Sequence, residues 1–378
     1  MKVVHIITGL NNGGAEGVLY RLVTHDKKNE HVVISLMDKG KYGSLLLDKG
    51  IAVHCLNMEA GEISPKSLLK LRKYLKVSKP DIVQTWMYHA DLIGGLVARS
   101  LGIKNIFWNL RHSSFDSNHT KSSTIKIAKL NAKLSKAIPY KIICCAEGAV
   151  EAHTDLGYSK EKIAVIANGY DLNTFKIDND SREAIRNELN IGKKTVLGMV
   201  GRYDPQKNHK GLLESLSIVK QKGYDFDLVL VGKDLNKDNM LLLKYIKKYG
   251  LAEQTYLLDQ RNDISGIMNA LDIHILSSSY GEGFPNVIAE AMACGTPCIA
   301  TNIGDSGIII DDYGWLVEAR SPKSLAEAIK TALIVKQDIS KWKNMKISAQ
   351  KQVIDNFSLE KMIDKYNSVW RESLDTDI

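Results

Sequence analysis

Two glutamates eight positions apart, Glu282 and Glu290, lie within the segment Gly281-Glu282-Gly283-Phe284-Pro285-Asn286-Val287-Ile288-Ala289-Glu290-Ala291-Met292-Ala293-Cys294-Gly295. Pro285 fits the first position of a helix and Gly295 the position just past its end. The stretch between is apolar nearly all round, which predicts a buried helix with Glu290 as its only charge. A buried carboxylate is costly unless it accepts hydrogen bonds, and the vicinal hydroxyls of a ribose would supply them. A distant Arg is the competing partner. Glu282, in the loop ahead of the helix, faces any ligand bound there. The backbone N–H groups of Asn286 and Val287 at the helix start suit a phosphate.

A second group, Arg202 with Lys207, follows the apolar run 194–200. Arg offers a planar fork and Lys a point charge, together enough to clamp a diphosphate. A solvated basic loop would read the same way. A third group is Gly13-Gly14, followed by Ala15-Glu16, after the first apolar run. Paired glycines ahead of a helix let backbone approach a ligand closely. The spacing departs from the Gly-x-Gly-x-x-Gly dinucleotide fingerprint, yet Asp38 is expected to end the second strand, where a ribose-binding acid would sit. On this segment alone an NAD(P)-dependent oxidoreductase is a fair rival. His89 and His112 each follow an expected strand, where a loop histidine is as much a catalytic candidate as a capping residue. Asp225-Phe-Asp227 and Asp375-Thr-Asp377 imitate a metal-binding pair, but the first precedes a strand and the second ends the chain. Neither is expected to hold Mg²⁺.

These residues need elements to position them. Short β-branched runs at 3–7, 32–36, 82–84, 106–109 and 142–145 alternate with helical patterns at about 16–24, 66–78, 90–101 and 121–138. The rhythm restarts with strands at 194–200, 228–231, 255–258, 273–276 and 297–300, and helices near 209–222, 238–249, 263–271, 285–294 and 322–335. Alternation of this kind implies parallel sheets covered on both faces, two of them. The expected organisation is a first domain over 1–170, a linker without periodicity over 171–190 and a second domain over 191–357. The last helix, about 358–374, carries an apolar stripe and is expected to pack back on the first domain. Ligands of open parallel sheets sit beyond the carboxyl ends of the strands. All three groups follow strands, so they are expected to line a cleft between the domains.

Composition and charge narrow the class. The chain has 378 residues, 44% of them hydrophobic and 25% charged, which excludes disordered and disulfide-framework classes. The N-terminal run reads as a first strand, not a signal peptide. The five cysteines are odd in number, and Cys144 and Cys145 are adjacent, which points to a reducing compartment. Cys294 and Cys298 read as small buried hydrophobes. The net charge is +8, and residues 66–141 alone hold 15 basic and 3 acidic residues. Such a patch suits an anionic partner. Lys126, Lys129, Lys133 and Lys136 recur beside the apolar stripe Ile127, Leu130, Leu134 and Ile138. A lysine edge beside an apolar stripe suits an anionic membrane; a core helix with solvated lysines is the alternative. Aromatics do not interleave with the lysines, so no nucleic-acid partner is expected.

Taken together, Gly13-Gly14-Ala15-Glu16, Asn168-Gly169-Tyr170-Asp171, Val200-Gly201-Arg202 with Lys207-Asn208, and the Glu282-x7-Glu290 segment followed by Gly295-Thr296-Pro297 resemble the family 4 retaining glycosyltransferases. The resemblance covers nearly the whole chain. It implies the GT-B architecture, two Rossmann-like doubly wound domains facing a cleft. It also implies roles. Arg202 and Lys207 bind the donor diphosphate, and Glu290 binds the ribose. Glu282 and the backbone beyond it, over Gly283, Phe284, Pro285, Asn286 and Val287, bind the transferred sugar. Gly13 and Gly14 approach the phosphates, and His112 matches a family histidine at the reacting sugar. Asp204-Pro205-Gln206 is taken as ordinary loop variation. His89, Arg111 and the four lysines fall on the acceptor and membrane side.

The family needs no metal or other cofactor, and its reaction is drawn as front-face substitution. Members with a basic first domain act peripherally at the cytoplasmic face of the membrane on polyprenyl-diphosphate-linked acceptors, building O-antigen or capsule. The expected function is therefore transfer of a hexose or N-acetylhexosamine from a nucleotide sugar, UDP-linked by general frequency, to such an acceptor. A nucleotide-sugar 2-epimerase of the same architecture is the alternative.

Overall fold

The computed structural model describes residues 1–11, 13–59, 64–111 and 121–375. They form two compact units, one of Met1–Gly169 with Leu359–Ile378 and one of Tyr170–Ser358. Each is a parallel sheet flanked by helices. The first sheet contains β1 (Lys2–Ile7), β2 (Glu30–Ser35), β3 (Ala52–Cys55), β4 (Ile82–Trp86), β5 (Ile106–Leu110), β6 (Lys141–Cys144) and β7 (Ile163–Val165), ordered 3-2-1-4-5-6-7. The second contains β8 (Val196–Val200), β9 (Asp227–Val231), β10 (Thr255–Leu257), β11 (Ile273–Leu276), β12 (Cys298–Thr301) and β13 (Trp315–Val317), ordered 10-9-8-11-12-13. Both are the expected α/β sheets. Strand order reverses between β1 and β4 and between β8 and β11, and at such a switch point the following loops diverge and leave a crevice.

The central strands are the apolar runs of the sequence: β4, β5, β8, β9, β11 and β12 are buried at every residue. The edge strands β3, β7 and β13 escape that reading because they are half-covered, so no continuous apolar run marks them. The stretch 171–190 is not without structure. It contains the helix Asn179–Glu188, capped by Asp178, whose side chain accepts from Ser181 N. Arg182 and Arg186 of this helix bond Asp272 at 2.6 and 2.9 Å. The helix Ile339–Phe357 is also additional to the expected elements. Its only fully buried side chains are Ala349, Val353 and Phe357, too thin a stripe to stand out in a lysine-rich segment.

The helix Leu359–Asp375 belongs to the first unit and buries Leu359, Met362, Ile363, Tyr366 and Trp370. Trp370 Nε1 donates to Gln84 Oε1 at 3.0 Å, and the Tyr366 hydroxyl accepts from Asn109 Nδ2 at 2.7 Å. Beside them runs a buried polar chain. Trp86 Nε1 donates to His5 Nδ1 (3.2 Å), His5 Nε2 meets His31 Nδ1 (3.0 Å), and His31 Nε2 meets Asp26 Oδ2 (3.2 Å). The Trp donor fixes His5 as the Nε2–H tautomer, which in turn fixes His31 as a donor to Asp26. Burial and the neighbouring His31 hold the His5 ring well below its usual pKa, so it is neutral. Truncating Trp370 leaves a cavity and takes the indole donor from Gln84 Oε1. Trp370→Ala is expected to destabilise the protein by about 3–5 kcal/mol, read by chemical denaturation.

Candidate functional site

The site in the second unit forms where β8 and β11 end side by side. The loop after β8 carries Arg202 and Lys207, and the loop after β11 carries Glu282. The two loops are joined: Ser279 N donates to Gln206 O at 2.7 Å, and Ser277 Oγ donates to Lys207 O at 2.9 Å. Lys207 Nζ then reaches Glu282 Oε1 at 2.6 Å, with side chains only 13% and 8% exposed. Ser278 Oγ donates to the same carboxylate oxygen at 2.5 Å. Removing one partner of such an enclosed pair typically costs 3–5 kcal/mol, because the other charge is left uncompensated.

The Arg202 side chain is 57% exposed. Nε donates to Asp204 Oδ2 at 3.0 Å and a terminal nitrogen to Gln206 Oε1 at 3.2 Å. Asp204 and Gln206, read from sequence as loop variation, are what aim the guanidinium. Asp204 also accepts from Gln206 N at 2.9 Å, closing the turn that leads to Lys207.

The helix after Glu282 spans Asn286–Ala293, with Pro285 as its N-cap and not its first residue. It is not buried all round. Ile288, Ala289, Ala291, Met292 and Ala293 are buried, while Asn286, Val287 and Glu290 are partly exposed. Positions 286 and 290 are one turn apart, so Glu290 lies on the partly exposed face of the helix and not in the core. The Tyr170 hydroxyl donates to Asn286 Oδ1 at 2.6 Å, and the Tyr170 ring stacks near Phe284. Gly304, at φ +58°, comes so close to the carbonyls of Glu282 and Gly283 that no side chain fits. Asp305 N donates to Gly283 O at 2.8 Å. Tyr170, Ser278 and Gly304 are positioning residues that the sequence reading did not single out as such. Their signal was position: two follow strands, and one lies in the Asn168–Asp171 motif.

Two buried histidines lie beneath. His209, 2% exposed, has both ring nitrogens without hydrogen-bond partners among the described residues. Burial, with Lys207 nearby, pushes its pKa down to about 4. Burial pushes His274 down to about 3. Both rings are neutral at pH 7 and add no charge beside Lys207.

In the first unit, Gly13 caps the helix Gly14–His25 in extended backbone. The Glu16 carboxylate folds back to where a side chain on Gly13 would begin, so an anion approaching this helix end meets it first. Burial raises the pKa of Glu16. Asp38 lies exposed three residues past the end of β2, away from the expected strand end. His89 is half-buried at the start of the helix Tyr88–Ser100, and burial lowers its pKa. Arg111 is half-buried. It lies 4.9 Å over the Trp86 ring and donates to Asn168 Oδ1 (2.6 Å) and the Tyr366 hydroxyl (3.0 Å). His112 lies outside the described residues. Lys126, Lys129, Lys133 and Lys136 are all exposed, although the helix ends at Leu134. Its buried face is Ala128, Asn131 and Ala132; the expected core stripe is only partly covered, and Leu130 is 45% exposed. None of the five cysteines forms a disulfide among the described residues.

Two family models match. Residues 12–174 match "Glycosyltransferase Family 4" and residues 181–352 match "Glycosyl transferases group 1". Among similar proteins is the UDP-Gal:alpha-D-GlcNAc-diphosphoundecaprenol alpha-1,3-galactosyltransferase of Escherichia coli, 29% identical over 81% of this chain and 79% of its own. Another is the N,N'-diacetylbacillosaminyl-diphospho-undecaprenol alpha-1,3-N-acetylgalactosaminyltransferase of Campylobacter jejuni, 27% identical over 86% of this chain and 88% of its own. In fold, the chain is similar to Alr3699/HepE of Anabaena, solved with UDP: TM-score 0.87, 22% identity, 98% of this chain and 100% of that one.

Beside His274, part of the pH response of the second unit comes from His209. Unfolded, its ring takes up a proton below about pH 6.5; folded, it does so only near 4. Stability therefore falls as the pH drops through that window. His209→Leu is expected to reduce the stability lost between pH 7 and 4 by roughly 3 kcal/mol, measured by urea denaturation at each pH.

Proposed function

Because this chain belongs to the family 4 glycosyltransferases, we propose that it moves a hexose or N-acetylhexosamine from a UDP-sugar to a polyprenyl-diphosphate-linked glycan acceptor, with retention at the anomeric carbon. The observation that carries the donor reading is the Lys207–Glu282 pair at the β8/β11 switch point, ahead of a helix whose open face holds Asn286 and Glu290. The acceptor and nucleotide are supported by the E. coli and C. jejuni relatives, whose names carry a diphosphoundecaprenol acceptor and, for the former, UDP-Gal. Those names are of transferases, and no feature of the site favours the epimerase.

Lys207 and Arg202 hold the donor diphosphate, aided by the N-terminal amides of the helix Asn286–Ala293. Glu290 accepts hydrogen bonds from the ribose hydroxyls. Glu282, with the backbone of Gly283 and Phe284, binds the sugar's hydroxyls. Gly13 and Gly14 approach the phosphates once the Glu16 carboxylate turns aside, and His112 meets the reacting sugar. In the transfer step the bond from the anomeric carbon to the phosphate oxygen breaks. The acceptor oxygen bonds to that carbon on the same face, and the acceptor proton passes to the leaving phosphate. Negative charge grows on the diphosphate, and fixed cations that meet it there lower the barrier. The same cations make the reaction metal-independent, so chelation by EDTA is expected to leave the rate unchanged.

The enzyme works peripherally at the inner face of the cytoplasmic membrane, with no nucleic-acid partner. Exposed Lys126, Lys129, Lys133 and Lys136 with half-open Leu130 support the first unit as the acceptor side.

Glu290→Ala and Lys207→Ala are each expected to lower transfer at least ~100-fold. The assay is nucleotide release from UDP-Gal, UDP-GlcNAc, UDP-GalNAc and GDP-mannose with an undecaprenyl-diphosphate-linked acceptor, the fold being checked by circular dichroism. Near-normal rates in both variants, or epimer formation without acceptor, would overturn the reading.

A further inference from the structure

The helix Ile339–Phe357 turns Ala349, Val353 and Phe357 inward. Another face of its first half carries Ile339, Trp342, Lys343, Lys346 and Ile347, the three- and four-residue spacing of one helical stripe. Ile339 is 84% exposed and Ile347 50% exposed. With Ile177 and Lys336 these residues line an open groove of ≈ 390 Å³. An apolar strip this exposed on a lysine-rich helix is unusual for a surface that meets only water.

The charge around the groove is one-sided. Residues 323–351 contain seven lysines against Glu327 and Asp338. Both acids are engaged locally, Glu327 by Lys330 at 2.8 Å and Asp338 by the amides of Ser340 and Lys341. Lys336 lies 3.9 Å from Asp272, which Arg182 and Arg186 already hold. Burial and this cluster of cations lower the pKa of Lys346. The groove therefore combines apolar side chains with positive charge that nearby acids do not balance.

We propose that this face of the second unit docks on an anionic lipid bilayer. Ile339, Trp342 and Ile347 enter the boundary between headgroups and acyl chains, while Lys336, Lys343 and Lys346 reach lipid phosphates. Lysine stems lie along apolar surface and keep their ammonium groups in the polar layer, which is what such a boundary accommodates. A second copy of the chain fits poorly, because a two-fold contact would set this lysine face against itself. No helix among the described residues is long and apolar enough to span a membrane, so the contact is a docking one. The proposal does not depend on the sugar, the acceptor or the lysines of the first unit.

The full-length protein is titrated with vesicles rich in phosphatidylglycerol and with phosphatidylcholine vesicles, by sedimentation and by quenching of Trp fluorescence with brominated lipid. Quenching is expected with the anionic vesicles, and Trp342→Phe is expected to remove most of it. The double variant Ile339→Asp/Ile347→Asp should bind anionic vesicles at least tenfold more weakly, with lipid-free nucleotide release unchanged. Unaltered affinity in that variant, or quenching unaffected by Trp342→Phe, overturns the proposal. So does light scattering that finds a dimer abolished by Ile339→Asp, which assigns the face to a second copy. Equal binding to soluble polyglutamate would assign it to an acidic protein.

Discussion

Neighbouring parallel strands whose crossovers leave on opposite sides of the sheet cannot close over their own carboxyl ends. At the β8/β11 boundary that gap is bridged from below by backbone and side-chain bonds between the two loops, and above them by the Lys207–Glu282 ion pair. The pair is enclosed, so each charge fixes the other and neither can be replaced without exposing its partner to a poor solvent. The surrounding features serve that arrangement. Asp204 closes the turn toward Lys207, Gly304 lets a neighbouring loop press on the Glu282 backbone, and Tyr170 orients Asn286. A site already ordered in this way loses little conformational freedom when a charged ligand arrives.

The histidines extend the same economy of charge. A protonated ring under Lys207 would repel it, and burial keeps His209 and His274 neutral at pH 7. In the first unit the neutral His5 passes a hydrogen bond to His31 in a chain that ends on Asp26. These are structural histidines, and their periodicity along strands gave no chemical signal. By contrast, His89, expected in a loop, is half-buried at the start of the helix Tyr88–Ser100.

Most of the fold was legible because central parallel strands are continuous apolar runs and surface helices carry a regular stripe. The edge strands β3, β7 and β13, and the helices Gly40–Asp48, Glu147–Asp155, Asn179–Glu188, Ser306–Ile310 and Ile339–Phe357, were not. Each buries too few side chains to leave a pattern. The local setting of the candidate residues was legible: Arg202, Lys207 and Glu282 lie in loops after strands, and Glu290 lies within the helix that follows. Environment was less so. Glu290 was expected in the core and is only partly covered, since residue type and spacing do not say which way a helix face turns.

The sequence by itself determined the strand-and-helix alternation, the two sheets and the residues with phosphate and hydroxyl chemistry, because these depend on local periodicity and on side-chain type. Tertiary structure decided the partners. Lys207 and Glu282 are 75 positions apart and meet only because β8 and β11 are neighbours in the sheet. Arg111, basic and near a strand end, becomes a tie between Trp86, Asn168 and Tyr366 because the C-terminal helix returns to the first sheet. The exposed Ile339–Ile347 face exists only because the opposite face of the same helix found a core. Long-range pairing of this kind is written in no local pattern, since it depends on which chain segments the sheet topology makes adjacent.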